Sequence, residues 1–171
     1  MKLLTYQSSV VLKILQRGEL YRAKPSISFA GEYKALVDLL SMHCSCPVFC
    51  VVKGKKQNTG GKVSGTVQLK LDVPRESVKL TEYAVWADFL YAYKFTIQGN
   101  YRVLKAGCGE ITAQDYRAIL EDLKKQRTLN QYKYPQALLE EIEPKWLVGY
   151  KMMGAGGNGG PGERLRQLFR R

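Results

Sequence analysis

Residues 65–93 read GTVQLKLDVPRESVKLTEYAVWADFLYAY, and the fold turns on them. Val67, Leu69, Leu71 and Val73 alternate with Gln68, Lys70 and Asp72, the period-2 pattern of a strand with one buried face. Pro74 has no backbone N–H and stops regular ladder pairing. Val78-Lys79-Leu80 is a second short extended piece. Thr81 then stands where a cap belongs, before a helix whose apolar stripe is Tyr83, Trp86, Ala87, Leu90, Tyr91 and Phe95. Strand, Pro-marked corner, short strand and aromatic helix predict that the core forms around this run.

Upstream, Lys2–Gln7 reads as an opening strand with Leu4 and Tyr6 on one side and Leu3 and Thr5 on the other. Ser8 or Ser9 can cap a helix carrying Val11, Ile14 and Leu15, closed by Gly18. Glu19–Ala23 is a short extended piece. A helix follows over about 29–42, with Phe29, Tyr33, Leu36, Val37 and Leu40 at helical spacing. Cys46–Val52, CPVFCVV, is a continuous apolar run and reads as a buried strand. Downstream, Thr112–Asp115 resembles a capping box and opens a helix with Tyr116, Ile119, Leu120 and Leu123 on one face. A short helix over Pro135–Ile142 and a closing strand over Trp146–Tyr150 complete the pattern. Residues 1–153 thus read as one α+β domain with a twisted, mostly antiparallel sheet and three or four helices. Residues 154–162, rich in glycine, read as a flexible linker, and 163–171 as a basic amphipathic tail.

With 171 residues, 45% of them hydrophobic, the chain can bury a core of its own. No apolar run approaches the roughly 20 residues that span a bilayer, and the first residues have no signal-peptide pattern. A cytoplasmic protein without membrane contact is the expectation. The four cysteines agree with that, because three crowd together and Cys108 stands apart, unlike a secreted disulfide framework. Cys44, Cys46 and Cys50 lack the paired knuckle spacing of zinc sites; their shared parity reads as three small hydrophobes on one strand face, and no metal is expected. His43 is the single histidine, with no nucleophile motif around it, so no catalytic residue is assigned. Nor is any cofactor expected. Gly60–Gly65 is rich in Gly and Lys but lacks the spacing of a phosphate-binding loop.

The net charge of +12 is the strongest compositional fact, with 27 Lys and Arg against 15 Asp and Glu. A field of that size attracts polyanions, above all nucleic acid or a nucleoprotein complex. An acidic protein partner is the other class it suits. Basic residues gather in the loop after the CPVFCVV run and in the tail, and aromatics interleave with them at Tyr91–Phe95, Tyr101-Arg102 and Tyr132-Lys133-Tyr134. That pattern suits base stacking with phosphate neutralisation; core or rim tyrosines beside solvated lysines fit Tyr132-Lys133-Tyr134 equally, and the core is the favoured place for Tyr91 and Phe95. Lys53, Lys55, Lys56, Lys62, Lys133, Arg164, Arg166, Arg170 and Arg171 are the candidate phosphate contacts.

The segments LLTYQS, VLKILQRGELYRA, CPVFCVV, LKLDVPRESVKLTEYAVW and QALLEEIEPKWLV, in this order over about 3–148, resemble a bacterial family catalogued only as a domain of unknown function. That resemblance implies a small α/β or α+β domain and names no activity. A fainter one is to the ADP-ribosyltransferase-like fold, in its DNA-targeting toxin branch and small phage proteins. Those proteins open with a strand bearing His or Arg, then a helix ending in Gly, then another strand, as Lys2–Ala23 does here. The nicotinamide-binding His or Arg would fall near Tyr6 or Gln7, which are neither, and Gln136-Ala137 is followed by Leu138 where that family has Glu. Arg22, Glu140 and Glu141 are the nearest residues of the right type, and none is carried over as catalytic. Two functions follow as expectations. The first is a non-enzymatic basic protein that engages nucleic acid or a nucleoprotein complex, of a kind that fits a phage or mobile-element accessory or anti-defence inhibitor. The alternative is an ADP-ribosyltransferase-like NAD-binding enzyme or its degenerate relative.

Overall fold

The computed structural model describes residues 1–56, 65–93 and 113–154. Among them the chain forms β1 (Lys2–Gln7), α1 (Ser9–Gln16), α2 (Ala30–Leu39), β2 (Val48–Val52), β3 (Val67–Asp72), β4 (Lys79–Glu82), α3 (Tyr83–Ala92), α4 (Ala113–Lys124), β5 (Pro135–Leu139) and β6 (Leu147–Met152). The strands make one sheet in the order β4-β5-β2-β1-β3-β6, and every neighbouring pair is antiparallel. The α+β class, the single sheet and the alternation in β1 and β3 agree with the sequence reading. β1 pairs with β3 along its whole length, from Lys2 against Asp72 to Gln7 against Val67.

Both faces of the sheet carry apolar cover, for reasons visible in each element. On one face Leu3, Cys50, Leu69 and Ala137 pack against Val11, Leu12 and Leu15 of α1. That helix ends in a Schellman motif, in which Gly18 at φ +80° lets its own N–H reach Leu15 O and the N–H of Glu19 reach Ile14 O. On the other face Phe49 and Leu138 meet Leu36 and Val37 of α2, Trp86 and Phe89 of α3, and Leu123 of α4. A run of rings fills this layer, with centroids 5.7 Å apart for Tyr33 and Phe49 and 5.5 Å apart for both Phe49–Trp86 and Trp86–Phe89. Such offset ring pairs hold position more strongly than their buried area alone implies.

Several expectations need correction. The helix foreseen over Pro135–Ile142 is a strand, β5, whose five residues are all buried. Gln, Ala and Leu favour helix in isolation, but this segment lies between β4 and β2 with cover on both faces, and packing overrides propensity. Thr81 belongs to β4, opposite Gln136, and Glu82 takes the N-cap position of α3. The buried stripe of α3 runs through Trp86 and Phe89, whereas Ala87 is exposed. The extended piece at Glu19–Ala23 is a single bridge, Tyr21 to Ile142. Nor do the cysteines share a face. Cys50 points to the α1 side and half-buried Cys44 packs on the α2–α4 side, because the chain bends before β2 begins and the alternation does not reach back to Cys44. Phe95, Thr112, Tyr101-Arg102, Gly60–Ser64 and the tail from 155 onward lie outside the described residues, as does the side chain of Tyr91.

Candidate nucleic-acid interface

The register of β2 against β5 sets this site. Val51 lies opposite Gln136, so the turn leaving β2 and the segment entering β5 emerge side by side at one end of the sheet. In the first turn Lys55 N–H bonds Val52 O at 3.2 Å, with Gly54 at φ +83° in the left-handed position such a turn needs. In the second, Thr128 N–H donates to Gln131 Oε1 at 2.8 Å, and Lys55 Nζ reaches across to Asn130 Oδ1 at 2.8 Å. Lys53 and Lys56 are exposed, and their ammonium groups make no ion pair with the described residues.

A buried carboxylate orders the second basic segment. Glu82 is 9% exposed, and its two oxygens accept the N–H of Lys133 at 2.7 Å and of Tyr134 at 2.8 Å. Tyr83 N–H then bonds Tyr134 O at 3.0 Å, which carries the β4–β5 pairing one step further. Lys133 Nζ lies 5.6 Å from the centre of the Tyr134 ring, within cation–π range. Tyr132 is core: it is buried, and its hydroxyl donates to Leu80 O at 3.2 Å. Of the aromatic–basic triplet, therefore, only Lys133 and Tyr134 serve a surface.

Between these turns and the sheet lies a cavity of about 460 Å³. Its floor is the face of β1 and β2 that carries Leu4, Tyr6, Phe49 and Val51, next to Gln136 of β5. Lys56, Tyr83, Tyr134 and Pro135 line one end, and Gln7 and Pro47 the other. Tyr6 Oη accepts a hydrogen bond from Gln68 Nε2 at 2.7 Å, which fixes its ring on the floor. The volume is in the usual range for ligand pockets, about 300–1,000 Å³. Cations and aromatics around an apolar floor suit a ligand with both phosphate and a planar ring.

Four of the nine candidate phosphate contacts, Lys53, Lys55, Lys56 and Lys133, gather at this end of the sheet. Lys62, Arg164, Arg166, Arg170 and Arg171 lie outside the described residues. Sequence reasoning missed Tyr6, Tyr83 and Gln136 as lining groups. The strand alternation that puts Leu4 and Tyr6 on one side was a usable signal for the first, but none existed for Gln136 once its segment read as helix.

A second cavity, about 450 Å³, sits beyond the far end of β5. It holds Arg22, His43, Lys79, Glu76, Glu140 and Glu141. Arg22 pairs with Glu141 at 2.8 Å, and Glu140 Oε1 accepts the His43 backbone N–H at 2.9 Å. Arg22 and carboxylates thus meet, but Gln7 faces the first cavity. Among the described residues no group of His, Cys, Asp and Glu is arranged to hold a metal ion. The described cysteines are free; burial pushes the Cys46 thiol up to about 11 and the Cys50 thiol up to about 12, which makes both poor ligands and nucleophiles. No described helix is long and apolar enough to cross a membrane. No family model matches this chain, and neither the curated proteins nor the solved structures contain a match to it.

Proposed function

We propose that this protein binds nucleic acid, or the nucleic-acid portion of a nucleoprotein complex, without catalysing a reaction on it. The observation that carries this reading is the meeting of two basic turns, Lys53–Lys56 and Lys133-Tyr134, at one end of an aromatic-lined cavity. Ammonium groups on an ordered rim neutralise phosphates and release counterions, so affinity falls steeply with salt. Polarisation titrations of labelled duplex DNA, single-stranded DNA and RNA at low and near-physiological salt test it. Changing Lys53, Lys55 and Lys56 together to Ala is expected to weaken binding at all sequences alike and to flatten the salt dependence by about one unit of slope per phosphate-touching lysine. Unchanged affinity in that variant removes the assignment. Absence of binding at low salt directs attention to an acidic protein partner.

The alternative, an NAD-binding enzyme or its degenerate relative, draws on Arg22, Glu140 and Glu141 sharing the second cavity. It is the weaker reading, because Arg22 is already paired with Glu141 and no described histidine side chain or other base is bonded to either. Millimolar NAD is expected to leave the melting temperature unchanged; a rise of several degrees supports this alternative instead.

A further inference from the structure

We propose that the first cavity receives one unpaired base of a single strand, which makes the protein single-strand-selective. The inference rests on the nucleic-acid reading above and deepens it. One buried polar group of the cavity lining motivates it. Gln136 lines the cavity, is only 9% exposed, and its Oε1 has no hydrogen-bond partner among the described residues. Native interiors leave few such groups unsatisfied, and those that remain call for a water, an ion or a ligand. The Gln136 amide carries an acceptor oxygen and a donor nitrogen side by side, a pattern that matches the mixed donor and acceptor edge of a nucleobase.

The surroundings complete the case. Tyr83 and Tyr134 stand at the end where Lys56 lies, so a base on the floor would have rings beside it and its own phosphate near an ammonium group. Bases in a duplex are stacked and paired and offer neither face nor Watson–Crick edge; an unpaired base offers both. The apolar floor of Leu4 and Val51 accepts the plane of any base, whereas the Gln136 amide at its border orients the edge.

The test is a polarisation titration of a labelled single-stranded oligonucleotide and its duplex, with wild type, Tyr134→Ala, Gln136→Leu and the Lys53, Lys55, Lys56 triple alanine variant. Wild type is expected to prefer the single strand by about tenfold or more. Tyr134→Ala and Gln136→Leu each cost about tenfold on the single strand, the usual scale for one stacked base, and weaken duplex binding several-fold less than that. Equal affinity for both strands, with the triple variant weakened on both, overturns the base cavity while the general nucleic-acid reading stands. Loss of all binding at low salt overturns both. Should Gln136→Leu fold poorly, Tyr134→Ala decides together with competition by adenosine monophosphate against inorganic phosphate. Displacement of the strand by the nucleotide alone supports the cavity, and equal displacement by both overturns it.

Discussion

At the scale of single residues, Glu82 connects stability to the interface. Its carboxylate satisfies two backbone N–H groups that no strand partner reaches, and those groups belong to the rim residues Lys133 and Tyr134. Hydrogen bonds to a charged group contribute about 1.5–3 kcal/mol each, and their loss leaves two part-buried donors without a partner. Glu82→Ala is therefore expected to destabilise the fold by about 2 kcal/mol or more in urea titration and to weaken nucleic-acid binding beyond that of a surface Glu76→Ala control. Buried and half-buried thiols and phenols couple stability to alkaline pH. Burial raises Cys46 to about 11 and Cys50 to about 12, and raises the hydroxyls of Tyr21, Tyr33, Tyr116 and Tyr132 above their ordinary 10. In the unfolded chain these groups lose protons first, from about 9 upward for the thiols. The stabilisation is thus complete below about pH 9 and is lost as pH climbs toward the folded values, at most about 1.4 kcal/mol per pH unit for each group. Urea midpoints are expected to be level in this respect up to about pH 8.5 and to fall beyond it; midpoints that hold to pH 11 contradict the assignment. Half-buried Cys44 is expected to alkylate well before Cys46 and Cys50 in native buffer.

At the scale of elements, β5 shows how context chooses between helix and strand. Leu138 is fully buried between the sheet and the α2–α4 layer, opposite Phe49 in register. Leu138→Ala removes that contact and leaves a void, at a cost of about 3 kcal/mol in chemical denaturation. A cost below about 1 kcal/mol would mean that the layer closes over the gap. Gly18 tests the end of α1 in the same way. Gly18→Ala meets nothing within 4 Å, so only the left-handed φ opposes it, and about 1 kcal/mol of destabilisation is expected. β6 shows how a strand absorbs a misfit. Its register against β3 shifts between Lys70 and Leu71, where Gly149 and Leu147 are the partners, and the extra residue, Val148, is 46% exposed.

At the scale of the whole molecule, charge and shape combine. An excess of +12 draws any polyanion to the surface, and a field of this kind acts over about one Debye length, roughly 8 Å at physiological salt. What the field cannot do is discriminate among polyanions. On the reading proposed above, discrimination belongs to the cavity, whose lining comes from three strands and one helix end: β1, β2, β5 and the start of α3. Raising salt is therefore expected to weaken single-strand and duplex binding by different amounts. The phosphate part of each falls, whereas stacking within the cavity persists, so the preference for the single strand widens as salt rises. A preference that vanishes with salt at the same rate as the affinity itself would place all selectivity in phosphate contacts.

By itself the sequence determined what local chemistry can determine. Alternation in residues 67–73 and 2–7 specified two half-buried strands, because side chains on a pleated strand turn over at every residue. Helical spacing and Gly18 specified α1 and its end, and the charge balance specified the class of partner most worth testing. Tertiary structure alone decided that Pro135–Leu139 is a strand, because a segment covered on both faces has no alternation to read and its composition favours helix. The site depended on that same decision. Lys56, Tyr83, Tyr134 and Gln136 are far apart in the chain, and they meet only because β5 pairs with β2 on one side and β4 on the other. Pairing between distant strands leaves no mark in a local window, so the basic residues were legible from the sequence and the cavity they border was not.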